Sequence, residues 1–279
     1  MAVVKINYLI KSILVFIFVS FFILNILNRD LSNDLTTIQK NSSYSVVITG
    51  GSNVMYGLNA KKIEDNFGDA VNLSLPSEGV VFNNYIAWLT KLNVKTHTVI
   101  YSPISFWDVK ESDAKDPSLR QRIQELFPKI SLLRYLTTVF SNNSFYPRKN
   151  SNGDLDQFKC SNDIFEWKAT DGYIKRALLA SNHFKQRMAA IRRATNAEIV
   201  ILRIPPLFVS AIDKNMYEPR IQEVIASYQS QGMLILQERV VLSTDKTFFC
   251  EHAHHPSDTG RAFFTQNFID ALKKIRRPP

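Results

Sequence analysis

Short apolar runs and longer amphipathic stretches alternate along most of the chain. Five apolar runs of strand length end at glycine, proline or polar residues, at 44–48, 70–75, 98–101, 198–204 and 233–236. Apolar residues recur at helical spacing between and after these runs, at 59–67, 80–92, 173–195, 218–231 and 256–275. Because strands and helices alternate at this pitch, the sequence predicts an α/β sandwich of three layers, with a parallel sheet between two layers of helices.

The alternation stops between residues 112 and 175. This stretch contains three prolines and shows no clear strand, while 119–127 and 130–140 have the pattern of short amphipathic helices. We interpret it as a mostly helical insertion that covers the ligand-binding edge of the sheet. It is either a lid that contacts substrate or a structural addition with no part in substrate choice.

The N-terminal segment has the pattern of a membrane anchor. Residues 12–27 carry no charge, and with the apolar residues 8–10 they approach the roughly 20 residues that cross a bilayer. No suitably placed pair of small residues follows, which favours an uncleaved signal anchor over a cleaved signal peptide or a buried helix. Lys5 and Lys11 precede the run and predict a cytoplasmic N-terminus, with the rest of the chain outside. The predicted parts are a transmembrane anchor over 1–30, a polar stalk over 31–43 and the α/β domain over 44–279.

Charge content argues against one class of partner, and cysteine content leaves the function open. The chain has 34 Lys and Arg against 25 Asp and Glu, spread along its length without a nucleic-acid-binding motif, so we predict no nucleic-acid partner. The excess of positive charge suits a solvated surface, an anionic glycan or the anionic membrane surface. Cys160 and Cys250 are able to pair in an oxidising compartment, but their positions in the sequence leave the pairing open.

A candidate nucleophile follows the first predicted strand. The run 44–48 leads through Gly50 and Gly51 into Ser52, at the carboxyl end of the strand, where ligands bind in open parallel sheets. The two glycines allow a tight turn, which lets the hydroxyl project and brings N–H groups towards an oxyanion. An ordinary turn serine has the same pattern, so Ser52 needs a partner to indicate catalysis.

Histidines near the C-terminus supply that partner. His252, His254 and His255 follow Glu251 at the mouth of the predicted last helix, and a histidine there titrates near neutral pH as a general base must. An alternative to the general-base role is that these histidines and Cys250 bind zinc, although the sequence offers no second cluster of ligands. A third alternative is that the histidines only cap the helix and pack.

The two segments together resemble the SGNH hydrolase superfamily. VVITGGSNVMYGLNA at 46–60 is similar to its first block, and the segment 255–265 is similar to its last. The resemblance extends over most of 44–107 and 198–272 and implies a flavodoxin-like fold. It implies Ser52 as nucleophile, His255 as base, an oxyanion site formed by the N–H groups of Ser52 and Gly79, and no cofactor or metal.

One departure from the family concerns the oxyanion site. The third block of the family usually supplies an asparagine, whereas here the third strand leads into residues 102–105, which contain none. The candidates to replace it are Ser105, Asn53 and the backbone. Without a replacement, transition-state stabilisation falls by about 2–4 kcal/mol.

A second departure concerns the acid that orients the base. His252 stands three residues before His255, where the family has an acid, and Glu251 lies one position further away. Three arrangements remain open: Glu251 orients His255, or His254 is the base with Glu251 at the usual spacing, or the site is a dyad. His255 is favoured because the proline and glycine after it are in register with the family.

The resemblance is to membrane-anchored branches that act on acyl groups of bacterial cell-surface polysaccharides. It implies serine-dependent transfer of an acyl group, with acetyl favoured, or ester hydrolysis, in a single-pass inner-membrane protein facing the periplasm. A membrane acyltransferase is the implied partner. The alternative is a non-catalytic SGNH-like subunit that binds glycan or scaffolds a membrane acylation complex. Arg203, at the end of the fourth strand, is a candidate to bind a substrate carboxylate or phosphate, or else forms a structural salt bridge.

Overall fold

The fold comes from a computed structural model that describes residues 43–74, 82–103, 106, 152, 154, 171–250 and 253–276. The chain divides into two compact units, Met1–Lys40 and Asn41–Pro279, and all described residues belong to the second. The predicted anchor and nearly all of the predicted stalk and insertion therefore lie outside the described residues. Among the residues that are described, no helix combines the length and apolar character needed to cross a bilayer.

A five-stranded parallel sheet forms the centre of the domain. Its strands are β1 Ser43–Gly50, β2 Ala70–Asn72, β3 Lys95–Ser102, β4 Ile199–Arg203 and β6 Ile235–Leu236. They lie in the order β2-β1-β3-β4-β6, and every neighbouring pair is parallel. All five fall within or next to the apolar runs of the sequence, so the predicted parallel α/β sheet is confirmed.

The direction in which strands are added to the sheet reverses beside β1. Val47 in the middle of β1 stands opposite Val71 of β2 and Val99 of β3, so β1 lies between its two successors. The chain leaves β1 towards one side of the sheet and leaves β2 towards the other. Ligands of doubly wound sheets bind at such a reversal, outside the carboxyl ends of the strands. The residues that follow β1 therefore stand at the most favourable place for a site.

Helices cover the sheet. They are α1 Ser52–Gly57, α2 Ala60–Phe67, α3 Phe82–Leu92, α4 Asp171–Leu179, α5 Ser181–Ala194, α6 Ala211–Ser230 and α7 Asp258–Arg276. Ile100 of β3 belongs to a buried apolar cluster with Phe268 of α7. The next residue, Tyr101, contacts Phe82 of α3 and Arg187 of α5. Since successive strand residues point to opposite faces, α7 and the α3–α5 pair lie on opposite faces of the sheet.

Three predicted helix boundaries are wrong. The helix predicted over 173–195 is divided at Ala180, whose N–H bonds to both Arg176 O and Ala177 O in one tighter turn. The helix predicted over 218–231 begins earlier, at Ala211, where the Ser210 side chain accepts a hydrogen bond from Asp213 N–H. The last helix begins at Asp258 and not at Pro256, which lies in a strand.

Four two-residue strands complete the described part of the chain. β5 Leu207–Phe208 pairs in parallel with β7 Leu242–Ser243, and β8 Phe249–Cys250 pairs in antiparallel fashion with β9 His255–Pro256. A 3-10 helix, Lys246–Phe248, precedes β8. The β8–β9 hairpin carries the C-terminal histidine next to the carboxyl edge of the sheet.

Candidate active site

Ser52 and His255 meet, although 203 residues separate them along the chain. His255 Nε2 lies 2.9 Å from Ser52 Oγ. Both residues are nearly enclosed, with 7% and 9% of their surfaces exposed. A histidine nitrogen within hydrogen-bond distance of a serine hydroxyl is the arrangement that activates a serine nucleophile.

The end of β1 determines where Ser52 stands. Gly50 has φ +139°, and a Cβ atom there would lie 2.1 Å from the carbonyl oxygen of Ser102. Only glycine therefore lets the chain turn this close to the end of β3. Ser52 becomes the first residue of α1, where helix geometry leaves N–H groups without intrahelical acceptors. These N–H groups are suited to stabilise an oxyanion that develops beside Ser52.

The β8–β9 hairpin and α1 together place His255. Cys250 stands opposite His255 in the hairpin. On the other side, a Cβ atom on Gly57 of α1 would lie 2.8 Å from Cγ of Pro256, so the missing side chain allows β9 to approach α1. The ring of Tyr56 lies 4.7 Å from the His255 ring between centroids. α1 thus supplies both the nucleophile and the surface on which the base rests.

Asn53 connects α1 to β3. It is fully buried, and its Nδ2 donates a hydrogen bond of 3.1 Å to Ser102 Oγ. The other side of α1 is tied to β2, because Asn72 Nδ2 donates to Val54 O at 3.4 Å. Asn53, a sequence candidate for the oxyanion site, therefore lies beside Ser52 with one of its two N–H groups already used for Ser102.

Arg203 is buried in an ion pair. Its guanidinium donates to both carboxylate oxygens of Glu238, at 3.0 Å from Nη2 to Oε2 and closer from Nε to Oε1. Burial raises the pKa of Glu238, and the charge of Arg203 and its hydrogen bonds oppose that rise. The side chains of Arg203 and Glu238 are 0% and 2% exposed. The sequence allowed two roles for Arg203, substrate binding or a structural salt bridge. The observed geometry is that of the salt bridge.

Several sequence candidates cannot be placed. Gly79, Ser105, Glu251 and His252 lie outside the described residues, so the second oxyanion donor and the orienting acid remain predictions. His255 is the histidine that reaches Ser52, and the ring of His254 packs against it with 4.5 Å between centroids.

Cys250 bears on the rival zinc hypothesis. It is disulfide-bonded, and a disulfide sulfur does not offer the thiolate that zinc binds. The described residues contain no group of three or more His, Cys, Asp or Glu suited to a metal ion. Cys160, the other cysteine of the chain, lies outside the described residues.

Two contacts near the site have no strong sequence signal. Tyr56 follows Ser52 by four residues, and this helical spacing is the one feature that points to it. Asp154, from the predicted insertion, accepts a hydrogen bond of 2.7 Å from Ala60 N–H at the start of α2. It also lies 3.2 Å from Nη2 of Arg261 in α7. Part of the insertion is therefore fixed to the helices that support the site.

Comparison with known proteins adds no family assignment. No protein-family model matches the chain, and no curated protein sequence matches it. The functional inference depends on the site geometry and on the residues that form it.

Proposed function

We propose that the protein is a serine-dependent enzyme of the SGNH type that transfers an acyl group, with acetyl favoured, or hydrolyses its ester. The observation that carries the proposal is the 2.9 Å contact between His255 Nε2 and Ser52 Oγ. The strand order β2-β1-β3-β4-β6 supports it, because this is the flavodoxin-like order and Ser52 stands at its reversal point.

The reaction follows from the two side chains. Ser52 Oγ attacks the ester carbonyl carbon while His255 Nε2 takes the hydroxyl proton, and the carbonyl oxygen becomes an oxyanion. Ser52 N–H, and Gly79 N–H as the resemblance implies, stabilise that charge. Collapse expels the alcohol, which receives the proton from His255, and leaves Ser52 acylated. A sugar hydroxyl or water then gives its proton to His255 and attacks the acyl carbon, and Ser52 Oγ leaves with the proton returned by His255.

The proposed location comes from the predicted anchor, and the polysaccharide acceptor and bacterial inner membrane come from the family resemblance. The predicted anchor places the domain on the periplasmic side of the bacterial inner membrane, where surface polysaccharides offer hydroxyl groups. A membrane acyltransferase that delivers the acyl group is the proposed partner. Neither a cofactor nor a nucleic acid enters this proposal.

One observation favours a second candidate function. Ser52 and His255 are only 7% and 9% exposed, which limits the access of a bulky polymer to the hydroxyl. A non-catalytic subunit that binds glycan or scaffolds an acylation complex would tolerate such a closed site.

Ester turnover by the purified full-length protein decides between them. We expect p-nitrophenyl acetate hydrolysis and fluorophosphonate labelling in the native protein, no labelling in Ser52→Ala, and turnover reduced by at least about 10²-fold in His255→Ala. Ser230→Ala and His97→Ala are matched controls, because both residues are exposed and the structure places neither near Ser52. Equal turnover in all five proteins would favour the non-catalytic role.

A further inference from the structure

One face of α1 meets the His255 ring at two points. Ser52 and Tyr56 are four residues apart on α1, so their side chains lie one above the other. Ser52 Oγ is 2.9 Å from His255 Nε2, and the Tyr56 ring lies 4.7 Å from the imidazole with 59° between the planes. Ser52 therefore contacts a nitrogen of the imidazole, and Tyr56 packs against the ring itself.

The hydrogen bond to Ser52 does not by itself fix the orientation of the imidazole. The outer torsion of a histidine side chain is broad, with two roughly equivalent orientations, so the ring of His255 is able to turn about its bond to Cβ. The contact distance and tilt of Tyr56 fall in the range at which aromatic rings attract each other. The His254 ring also packs against the imidazole, with 4.5 Å between the centroids and 76° between the planes. Two neighbouring rings therefore restrict this rotation.

The residue after Tyr56 fixes how closely the two elements approach. Gly57 faces Pro256, where an added Cβ atom would come within 2.8 Å of the proline ring. Two consecutive residues of α1, Tyr56 and Gly57, therefore dock on two consecutive residues of β9, His255 and Pro256. This pairing sets both the tilt of the imidazole and its distance from Ser52.

From this geometry we propose that Tyr56 is a positioning residue that holds the His255 ring in the orientation in which Nε2 faces Ser52 Oγ. The inference rests on the proposed Ser52–His255 chemistry and adds a residue to it. Tyr56 exchanges no proton or bond in the reaction. Its aromatic ring has the effect, and its hydroxyl is not required.

Two substitutions separate the ring from the hydroxyl. Tyr56→Phe keeps the ring and retains the native kcat within about threefold, whereas Tyr56→Leu removes the ring and lowers kcat by about tenfold or more, as small misplacements of catalytic groups do. KM stays within about twofold in both, because the bound substrate meets the same Ser52. In a His255→Ala background, Tyr56→Leu lowers turnover no further, since residues that act through one another are not additive.

The measurements use the full-length protein in detergent. Turnover of p-nitrophenyl acetate is measured for the native protein, for Tyr56→Phe and Tyr56→Leu, and for His255→Ala with and without Tyr56→Leu. Thermal unfolding confirms that each of these proteins is folded. Independently of activity, NMR of ¹³C-labelled histidine, assigned with His255→Ala, reports the ring-current shift that Tyr56 imposes on the His255 imidazole. We expect this shift in the native protein and in Tyr56→Phe, and its loss in Tyr56→Leu.

The outcomes separate this inference from the proposed function. If Tyr56→Leu keeps the native kcat and the native His255 shift, Tyr56 does not position the histidine, although Ser52 chemistry stands. Equal losses in Tyr56→Phe and Tyr56→Leu would assign the effect to the hydroxyl and overturn the proposal. If the native protein has no Ser52-dependent turnover, the proposed function fails, while a His255 shift that depends on the Tyr56 ring still establishes the contact between the two rings.

Discussion

Burial determines how individual polar side chains act in this protein. Arg203 and Glu238 are almost without solvent contact and form an ion pair, which holds β4 near the segment after β6. Asn53, also fully buried, is directed at Ser102. Ser52 and His255 retain a small exposed surface at the edge of the sheet, which a substrate needs to reach them. Burial thus directs Arg203, Glu238 and Asn53 to partners within the fold.

Burial also makes one histidine sensitive to acid. Desolvation lowers the pKa of His183 to about 3, and the nearby charge of Arg187 contributes. The unfolded chain binds a proton at the ordinary histidine pKa near 6.5, so between about pH 6.5 and 3 it holds more protons than the folded state. The free energy of unfolding therefore falls as the pH falls through this window, by up to about 1.4 kcal/mol per pH unit from this residue.

Removing this histidine tests that contribution. His183→Gln is expected to flatten the dependence of the unfolding free energy on pH between about 6.5 and 3, as measured by urea denaturation at a series of pH values. His97→Gln is the control, because the His97 side chain is 52% exposed and the variant retains His183. A slope in His183→Gln equal to that of the native protein would show that this residue does not titrate as described.

At the scale of elements, the short helix α1 organises the site. α1 has six residues and contacts three strands: Ser52, Tyr56 and Gly57 meet β9, Asn53 meets β3, and Val54 accepts from β2. So short a helix has little stability of its own and depends on these contacts. Displacement of α1 relative to β9 therefore changes the Ser52–His255 distance directly.

Gly57 allows this dependence to be measured. Gly57→Ala places a methyl carbon 2.8 Å from Cγ of Pro256, so α1 or β9 has to shift to accept it. We expect kcat for p-nitrophenyl acetate to fall about tenfold, because catalysis is sensitive to small misplacements of the base. Lys62→Ala, at an exposed position of α2, should leave kcat unchanged. Native kcat in Gly57→Ala would show that the close approach of β9 is not needed.

The sequence predicts the strands of the central sheet better than the helix ends and the short strands outside that sheet. The sheet strands were predictable because buried parallel strands are continuous apolar runs. The helix predicted over 218–231 left out the first part of α6, which continues through Pro219 from a serine cap at Ser210. The two-residue strands β5, β7, β8 and β9 are too short to show any period.

The candidate site was predictable to a similar extent. The glycine turn before Ser52 and the histidine cluster around His255 were visible as local patterns. The contacts of Tyr56 and Gly57 with β9 depend on tertiary approach, which no local pattern in either segment encodes. The same holds for Arg203, whose carboxylate partner lies 35 residues further along the chain.

At the scale of the whole molecule, two distant attachments support the C-terminal part of the site. Asp154 joins the predicted insertion to the start of α2 and to Arg261 of α7. Cys250, directly opposite His255 in the hairpin, is disulfide-bonded. A covalent link restricts the unfolded chain and holds β8 in place, so it stabilises the region that carries the base.

Reduction of this disulfide should therefore destabilise the protein. Dithiothreitol, or the Cys250→Ser substitution, is expected to lower the free energy of unfolding by about 2–4 kcal/mol, measured by urea denaturation. Cys250→Ser also serves as the control for the reagent, because its stability should no longer respond to dithiothreitol. If reduction leaves the native protein unchanged, the bond contributes nothing to stability.

The distance along the chain between Ser52 and His255 has a consequence for biosynthesis. A nascent polypeptide presents the serine early, but the histidine leaves the ribosome only after 203 further residues. Contacts of such long range form late, once the intervening sheet strands have paired. If Ser52 is the nucleophile, it therefore stays inert throughout synthesis, and acyl chemistry begins only once the C-terminal hairpin has joined the sheet.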